Sequence, residues 1–267
     1  MVDISLIVLV AGALAGLLIA AWRAVSRPRS RTWPRVVLAA CVALLVTSFA
    51  AWRISKAVSF QLLGEPIVRV ETTSRVVALT FDDGPNPRYV DDILEVLRAE
   101  QVHATFFVIG SELARHPELG PKLVAAGHEL GNHSFTHARM LGRSLDFIRT
   151  EIETTDAEIR RAGYHGAIQF RPPYGKRLLA LPWALHEMGR RLTLWDVAPD
   201  SADPTISSAR LVERIRAEVR PGSIVLLHVM NREGDTSRAA LPEVIHELES
   251  SGYRFVTVSE LLASAQH

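Results

Sequence analysis

A single cysteine, Cys41, occurs in the chain, inside an apolar run near the N-terminus. A disulfide framework is thereby excluded, and everything downstream of Cys41 has no thiol to oxidise. Charge is missing from two stretches: Ile4 to Trp22 is nineteen residues, and Val36 to Trp52 seventeen, with no acidic or basic side chain. Between them acid is missing, since Arg23 to Arg35 carries Arg23, Arg27, Arg29, Arg31 and Arg35 without one Asp or Glu. Beyond residue 56 a basic excess is missing: 23 basic against 28 acidic residues give net −5, the wrong sign for a nucleic-acid partner. No internal repeat or low-complexity segment interrupts the chain.

The two uncharged runs approach the roughly 20 residues that a helix needs to cross about 30 Å of hydrocarbon. Residues 1–56 are therefore read as a membrane anchor with two transmembrane helices, about 4–22 and 36–52. Short Arg-rich loops stay cytoplasmic, which puts both termini and the rest of the chain outside, in a two-span protein of the cell membrane with the lipid bilayer as a partner. Trp22, Trp33 and Trp52 sit at the span ends, where indole rings favour the interface. A secretory signal fits poorly, because the first residues hold Asp3 and no basic side chain. Gly12 and Gly16, four apart, form a small-xxx-small pair suited to a weak homodimer through the first helix.

Residues 57–75 read as a linker, and from Val76 apolar strand-like runs alternate with amphipathic helices. Strands are predicted at 75–81, 104–109, 128–132, 168–171, 192–197, 223–228 and 254–258, each separated from the next by a helical pattern. About seven short parallel strands with intervening helices predict an α/β fold, a distorted (β/α) barrel, for residues 76–267.

Four polar runs interrupt this apolar sequence: Thr80–Pro85 (TFDDGP), His133–His137 (HSFTH), Arg171–Gly175 (RPPYG) and Leu226–His228 (LLH). Each falls at or just past the C-terminal end of a predicted strand, the rim where barrels form active sites. His133 and His137 are four apart, so on a helix both imidazoles would project from one face and grip one metal. Asp82 and Asp83 are adjacent, and on an extended strand their side chains would point to opposite sides, one free to ligate and the other to act as base. Two histidines and a carboxylate leave coordination positions open and suit Zn best, with Co, Ni, Mn or Fe also accepted. The remaining histidines, 103, 116, 128, 165, 186, 246 and 267, have no partner arrangement and read as surface residues.

With TFDDGP, HSxxH, RPPYG and LxH in this order, the stretch from about Val76 to Leu262 resembles the polysaccharide deacetylases of the NodB-homology type, carbohydrate esterase family 4. The resemblance implies Asp82 as general base, with Asp83, His133 and His137 holding one divalent metal ion. It implies Arg171 as the residue that fixes the base carboxylate, the backbone N–H of Tyr174 as oxyanion donor, and His228 as general acid. Leu226, Pro173 and Trp195 would line the substrate pocket. The family's Asp-x-x-Asp-Trp after the Trp-x-Val strand is irregular here: Ala198 stands at the first Asp, no Trp follows, and Asp200 comes one position early. Asp200 is taken as the carboxylate that tunes His228.

The implied function is hydrolysis of acetamido groups on an N-acetylated glycan, cell-envelope polysaccharide or peptidoglycan, by a membrane-anchored metal-dependent enzyme. A small amide or imide substrate, or a catalytically silent glycan-binding protein, are the alternatives. The topology has its own test. A reporter fused after His267 is expected to be active outside the cytoplasm, and protease added to intact spheroplasts should remove the domain while sparing the arginine loop; a protected C-terminus would overturn the two-span reading.

Overall fold

The computed structural model describes residues 33–56 and 64–264. Helix α1 (Trp33–Lys56) exposes Leu38, Leu44, Leu45 and Phe49. The second expected span falls within it, yet among the described residues no helix is long and apolar enough to cross a membrane. The uncharged part of α1 is the seventeen residues from Val36 to Trp52. At 1.5 Å per residue it covers about 26 Å, less than a hydrocarbon core about 30 Å thick, and the expectation for 36–52 is corrected to that extent. The first span at 4–22, the Gly12/Gly16 pair and most of the arginine loop lie outside the described residues.

In the following domain β1 (Val76–Gly84) leads to α2 (Val90–Ala99), β2 (Thr105–Val108), α3 (Gly110–Arg115), α4 (Leu119–Ala125) and β3 (Glu129–Asn132). Four helices come next, α5 (Leu145–Arg161), α6 (Ala180–Glu187), α7 (Pro199–Ala202) and α8 (Ser208–Glu218). The chain finishes with β4 (Ile224–Leu227), α9 (Asp235–Ser250), β5 (Arg254–Val256) and α10 (Val258–Ser264). α5 shows why its sequence is helical: Ser144 Oγ accepts from the Phe147 N–H at 3.2 Å, Asp146 lies in the first turn and Arg160 and Arg161 in the last. β1 is buried along nearly its whole length, as expected of a parallel strand covered on both faces.

All strand pairs are parallel, in the order β3-β2-β1-β4. Ala78 of β1 pairs with Ile224 of β4 and with Val256 of β5, so β5 shares the edge of β1 that carries β2. Single bridges then carry the pairing around: Asn132 with Phe170, Phe170 with Leu192, and Val197 with Val225 of β4. Thus the sheet returns on itself, with five regular strands where about seven are predicted. Segments 168–171 and 192–197 contribute only bridges. Pro172 and Pro173 have no N–H to extend the first. In the second, Thr193 N–H donates to Phe170, Leu194 N–H to Ile67 and Asp196 N–H to Ile224, dividing its bonds among three neighbours.

Part of the expected 57–75 linker belongs to this fold. Ile67 N–H donates to Leu192 O (2.8 Å), Val70 N–H to Gly222 O (2.9 Å), and both side chains are buried. Gly222, at φ 80°, makes that approach possible, since a Cβ there would lie 1.8 Å from Val70 O. Residues 57–63 lie outside the described ones. The core fills the space between the sheet and α2, α4, α8 and α9, with a second cluster of Met140, Ile148, Ile152, Phe170, Leu181 and Leu192 under α5 and α6.

His128 is not the surface residue expected. It is buried, its Nδ1 accepts from the Ala104 N–H at 3.2 Å, and its ring meets Phe106 at 5.1 Å. Burial, with His103 alongside, pushes its pKa down to about 4 from 6.5. Its contribution to stability is therefore complete above pH 6.5 and lost as pH falls through 4, because only the unfolded chain takes the proton in between. Denaturant titrations at the two ends of that window should show the wild type losing about 3 kcal/mol more than His128→Gln; equal slopes would refute the assignment.

Candidate active site

The strand ends bring the four polar runs into one cavity of about 440 Å³, lined by Asp82, Asp83, His133, His137, Trp195 and His228 among others. The two carboxylates do not diverge as an extended strand would make them. The register of β1 against β2 shifts between Phe81 and Gly84, and Asp83 lies in the left-handed region at φ 68°. This bulge turns both toward His133: Asp82 Oδ2 is 3.8 Å and Asp83 Oδ1 3.6 Å from His133 Nε2. Segment 133–137 is likewise a loop and not a helix, because Ser134 (φ 67°) and His137 (φ 57°) are left-handed. The imidazoles still come together, with ring centroids 5.0 Å apart and His137 Nε2 3.0 Å from Asp83 Oδ1.

Asp83, His133 and His137 present donor atoms that all lie within 4.8 Å of one another. The chemistry of the set fits a divalent cation. His133 Nδ1 is 2.8 Å from Arg171 O, and a carbonyl can only accept, so Nδ1 carries the proton and the lone pair of neutral His133 is on Nε2, facing Asp83. Electrostatics agree. Burial alone would raise the Asp83 pKa, but hydrogen bonds from His133 and His137, with the charges of His133 and His228, hold it well below the usual carboxylate range. Burial alone would lower His133, but the Asp82 charge and the Asp83 hydrogen bond outweigh it and raise it. The pocket favours positive charge at this point.

Arg171 is fully buried behind Asp82. It donates from Nη1 to Asp82 Oδ1 (2.6 Å) and Thr80 Oγ1 (2.9 Å) and from Nη2 to Leu194 O (2.9 Å), and stacks 3.9 Å above the Phe107 ring. Tyr174, at φ 61°, is half exposed with its ring 4.9 Å from that of His137. On the other side of the cavity Asp200 reaches His228 despite its offset. Asp200 Oδ1 is 3.3 Å from His228 Nδ1, while Oδ2 accepts from the His228 N–H (2.8 Å) and Ser237 Oγ (2.9 Å). Burial alone would lower His228, but the hydrogen bond and charge of Asp200, with Asp82 and Asp83 adding, raise it to about 9.

Trp195 lines the cavity, whereas Leu226 and Pro173 are buried and do not. Leu226 pairs with Thr80 on the barrel-interior side of β4, opposite in parity to the core residues Val225 and Leu227. Sequence reasoning missed Asn231, whose Nδ2 donates to Asp83 Oδ2 at 3.2 Å, and the lining residues Lys176, Ser201 and Glu233. Asn231 has no sequence signal beyond its position three residues after His228.

The sequence profile of the polysaccharide deacetylases matches residues 69–193. A peptidoglycan-N-acetylglucosamine deacetylase of Bacillus cereus is 35% identical over 196 residues, 72% of this chain and 91% of that one. A chitooligosaccharide deacetylase of Rhizobium leguminosarum bv. trifolii is 34% identical over 199 residues, 74% of this chain and 87% of that one. Among solved structures, a CE4 family pseudoenzyme from Bacillus anthracis superposes with a TM-score of 0.67 at 28% identity, covering 74% of this chain and 69% of that one.

Metal content separates the two carboxylates. His133→Ala or His137→Ala is expected to abolish tight binding of a divalent cation, whereas Asp82→Asn should retain it, as measured by elemental mass spectrometry of the purified protein. Loss in Asp82→Asn with retention in Asp83→Asn would reverse the assignment.

Proposed function

The chain belongs to the polysaccharide deacetylase family, and from that premise we propose that it hydrolyses the acetamido group of an N-acetylated glycan of the cell envelope. The observation that carries the reading is that both proton-transfer groups, Asp82 and His228, face the same cavity as the Asp83–His133–His137 donor set. A glycan-binding protein has no use for all five, and the pseudoenzyme among the structural neighbours makes clear that the fold alone would not argue for activity.

Asp83, His133 and His137 would hold the cation, Zn or another of the first-row divalent ions. When bound, it supplies Lewis acidity that polarises the acetyl carbonyl and eases deprotonation of water. Asp82 accepts the water proton at Oδ2, the oxygen left facing the cavity when Oδ1 is held by Arg171. The Tyr174 N–H donates to the developing oxyanion, a contribution typically of about 3 kcal/mol. His228 delivers a proton to the departing amine nitrogen, and Asp200 keeps the imidazole charged for that step. Trp195 offers an apolar wall for the sugar.

We further propose that the domain acts outside the cytoplasm, at the surface of the cell membrane. The apolar residues exposed along α1 support an association with the bilayer.

Incubating the protein with peptidoglycan fragments and chitooligosaccharides should release acetate; none from any glycan, with turnover of a small amide or imide, would favour the other substrate class. Asp200→Asn should move the alkaline limb of the rate profile down by about one pH unit or more, since it removes the charge that raises His228. The shift should vanish in a His228→Ala background, as for residues acting as a unit. An unmoved limb would mean that His228 works without its carboxylate.

A further inference from the structure

Between the two histidine donors three successive backbone N–H groups are captured by side chains. Asn132 Oδ1 accepts from Ser134 at 2.8 Å. Glu151 Oε2 accepts from both Phe135 (3.0 Å) and Thr136 (2.8 Å), and its Oε1 accepts from the Thr136 hydroxyl at 2.8 Å. Consecutive N–H groups next to a left-handed residue form a concavity suited to an anion, and Ser134 is that residue. Here the anion is a side chain of α5.

Glu151 is 5% exposed, on the core-facing side of α5 with Ile148, Ile152 and Ile159. Among the described residues no Lys, Arg or His forms an ion pair with it, so the loop's donors compensate its burial. α5 grips the loop a second time through Asn132, whose Nδ2 donates to Ile152 O (2.8 Å) and Asp156 Oδ1 (2.6 Å). On the opposite side Gly110 N–H donates to Ser134 O (3.0 Å) and Ser111 N–H to Phe135 O (2.9 Å). Left-handed conformations at Ser134 and His137 cost about 1–3 kcal/mol each and persist only where surroundings impose them.

Given the metal-dependent reading above, we infer that Glu151 is a positioning residue of the metal centre. Its carboxylate fastens loop 133–137 to α5, keeping His133 and His137 both turned toward Asp83. Without it the loop relaxes toward ordinary backbone angles and the two imidazoles separate.

The full chain, purified in detergent and stripped with chelator, is titrated with Zn²⁺ by calorimetry and with Co²⁺ by visible absorption. Glu151→Gln is nearly isosteric, but one of its terminal atoms is an NH₂ facing N–H donors. It is expected to raise the dissociation constant roughly 10- to 100-fold, as loss of such outer contacts typically does, and to alter the Co²⁺ spectrum. At saturating cation kcat should recover while KM for glycan stays put, and Glu151→Asp, one methylene shorter but charged, should fall between. Glu151→Ala adds a second comparison if it folds. A Glu151→Gln protein with lowered Tm but unchanged affinity and spectrum overturns the inference, leaving the deacetylase reading intact. A wild type that binds neither ion overturns both.

Discussion

The ion pair between Arg171 and Asp82 is the contact on which the barrel and its chemistry both depend. Both partners are buried, a situation in which losing one leaves the other charge uncompensated at a cost of roughly 3–5 kcal/mol. The guanidinium bonds to Thr80 and Asp82 on β1, stacks on Phe107 of β2 and donates to Leu194 in the irregular segment 192–197. One side chain thus joins regular strands to the part of the ring where ladder bonds give way to single bridges. Because the same pair fixes Asp82, a defect in barrel closure and a misplaced base are one event.

Strain gathers at the same rim. Of the five described non-glycine residues at positive φ, four are Asp83, Ser134, His137 and Tyr174. Regular strand geometry would send Asp83 to the opposite side from Asp82, and a helix through 133–137 would bring the histidines together but not necessarily toward Asp83. The left-handed turns fold them inward, which is the usual place for a protein to keep costly backbone angles.

Much of this was legible beforehand. The alternation of strand-like runs and helical patterns locates β2 to β5 within a residue or two and β1 at its start, most plainly for β1, β2 and β4, whose burial leaves a continuous apolar run. Asp200 could be matched to His228 only through the family pattern, one position out of register, and its carboxylate lies 3.3 Å from the His228 Nδ1. The local geometry was not legible: HSFTH has helical spacing but is a loop, DDG looks extended but is a bulge, and Val258–Ser264 is a helix where a strand end was expected. In each case tertiary bonds outweigh local pattern. Glu151 did leave a signal that went unused, a carboxylate on the apolar stripe of α5, where an acid must have donors waiting. His128 left a fainter one, at the head of the stretch 128–132 that was expected to be a strand and becomes β3.

The strap at residues 67–70 fixes the polarity of the domain. Ile67 and Val70 bond to Leu192 and Gly222, at the beginnings of the segments that run toward the rim, whereas Asp83 sits at the last residues of β1 and His137 and His228 lie past the ends of β3 and β4. The chain therefore enters the barrel through its floor, and the cavity opens through its ceiling. A tether at this end would pull on the face opposite the chemistry and leave the mouth of the cavity pointing away from the point of attachment.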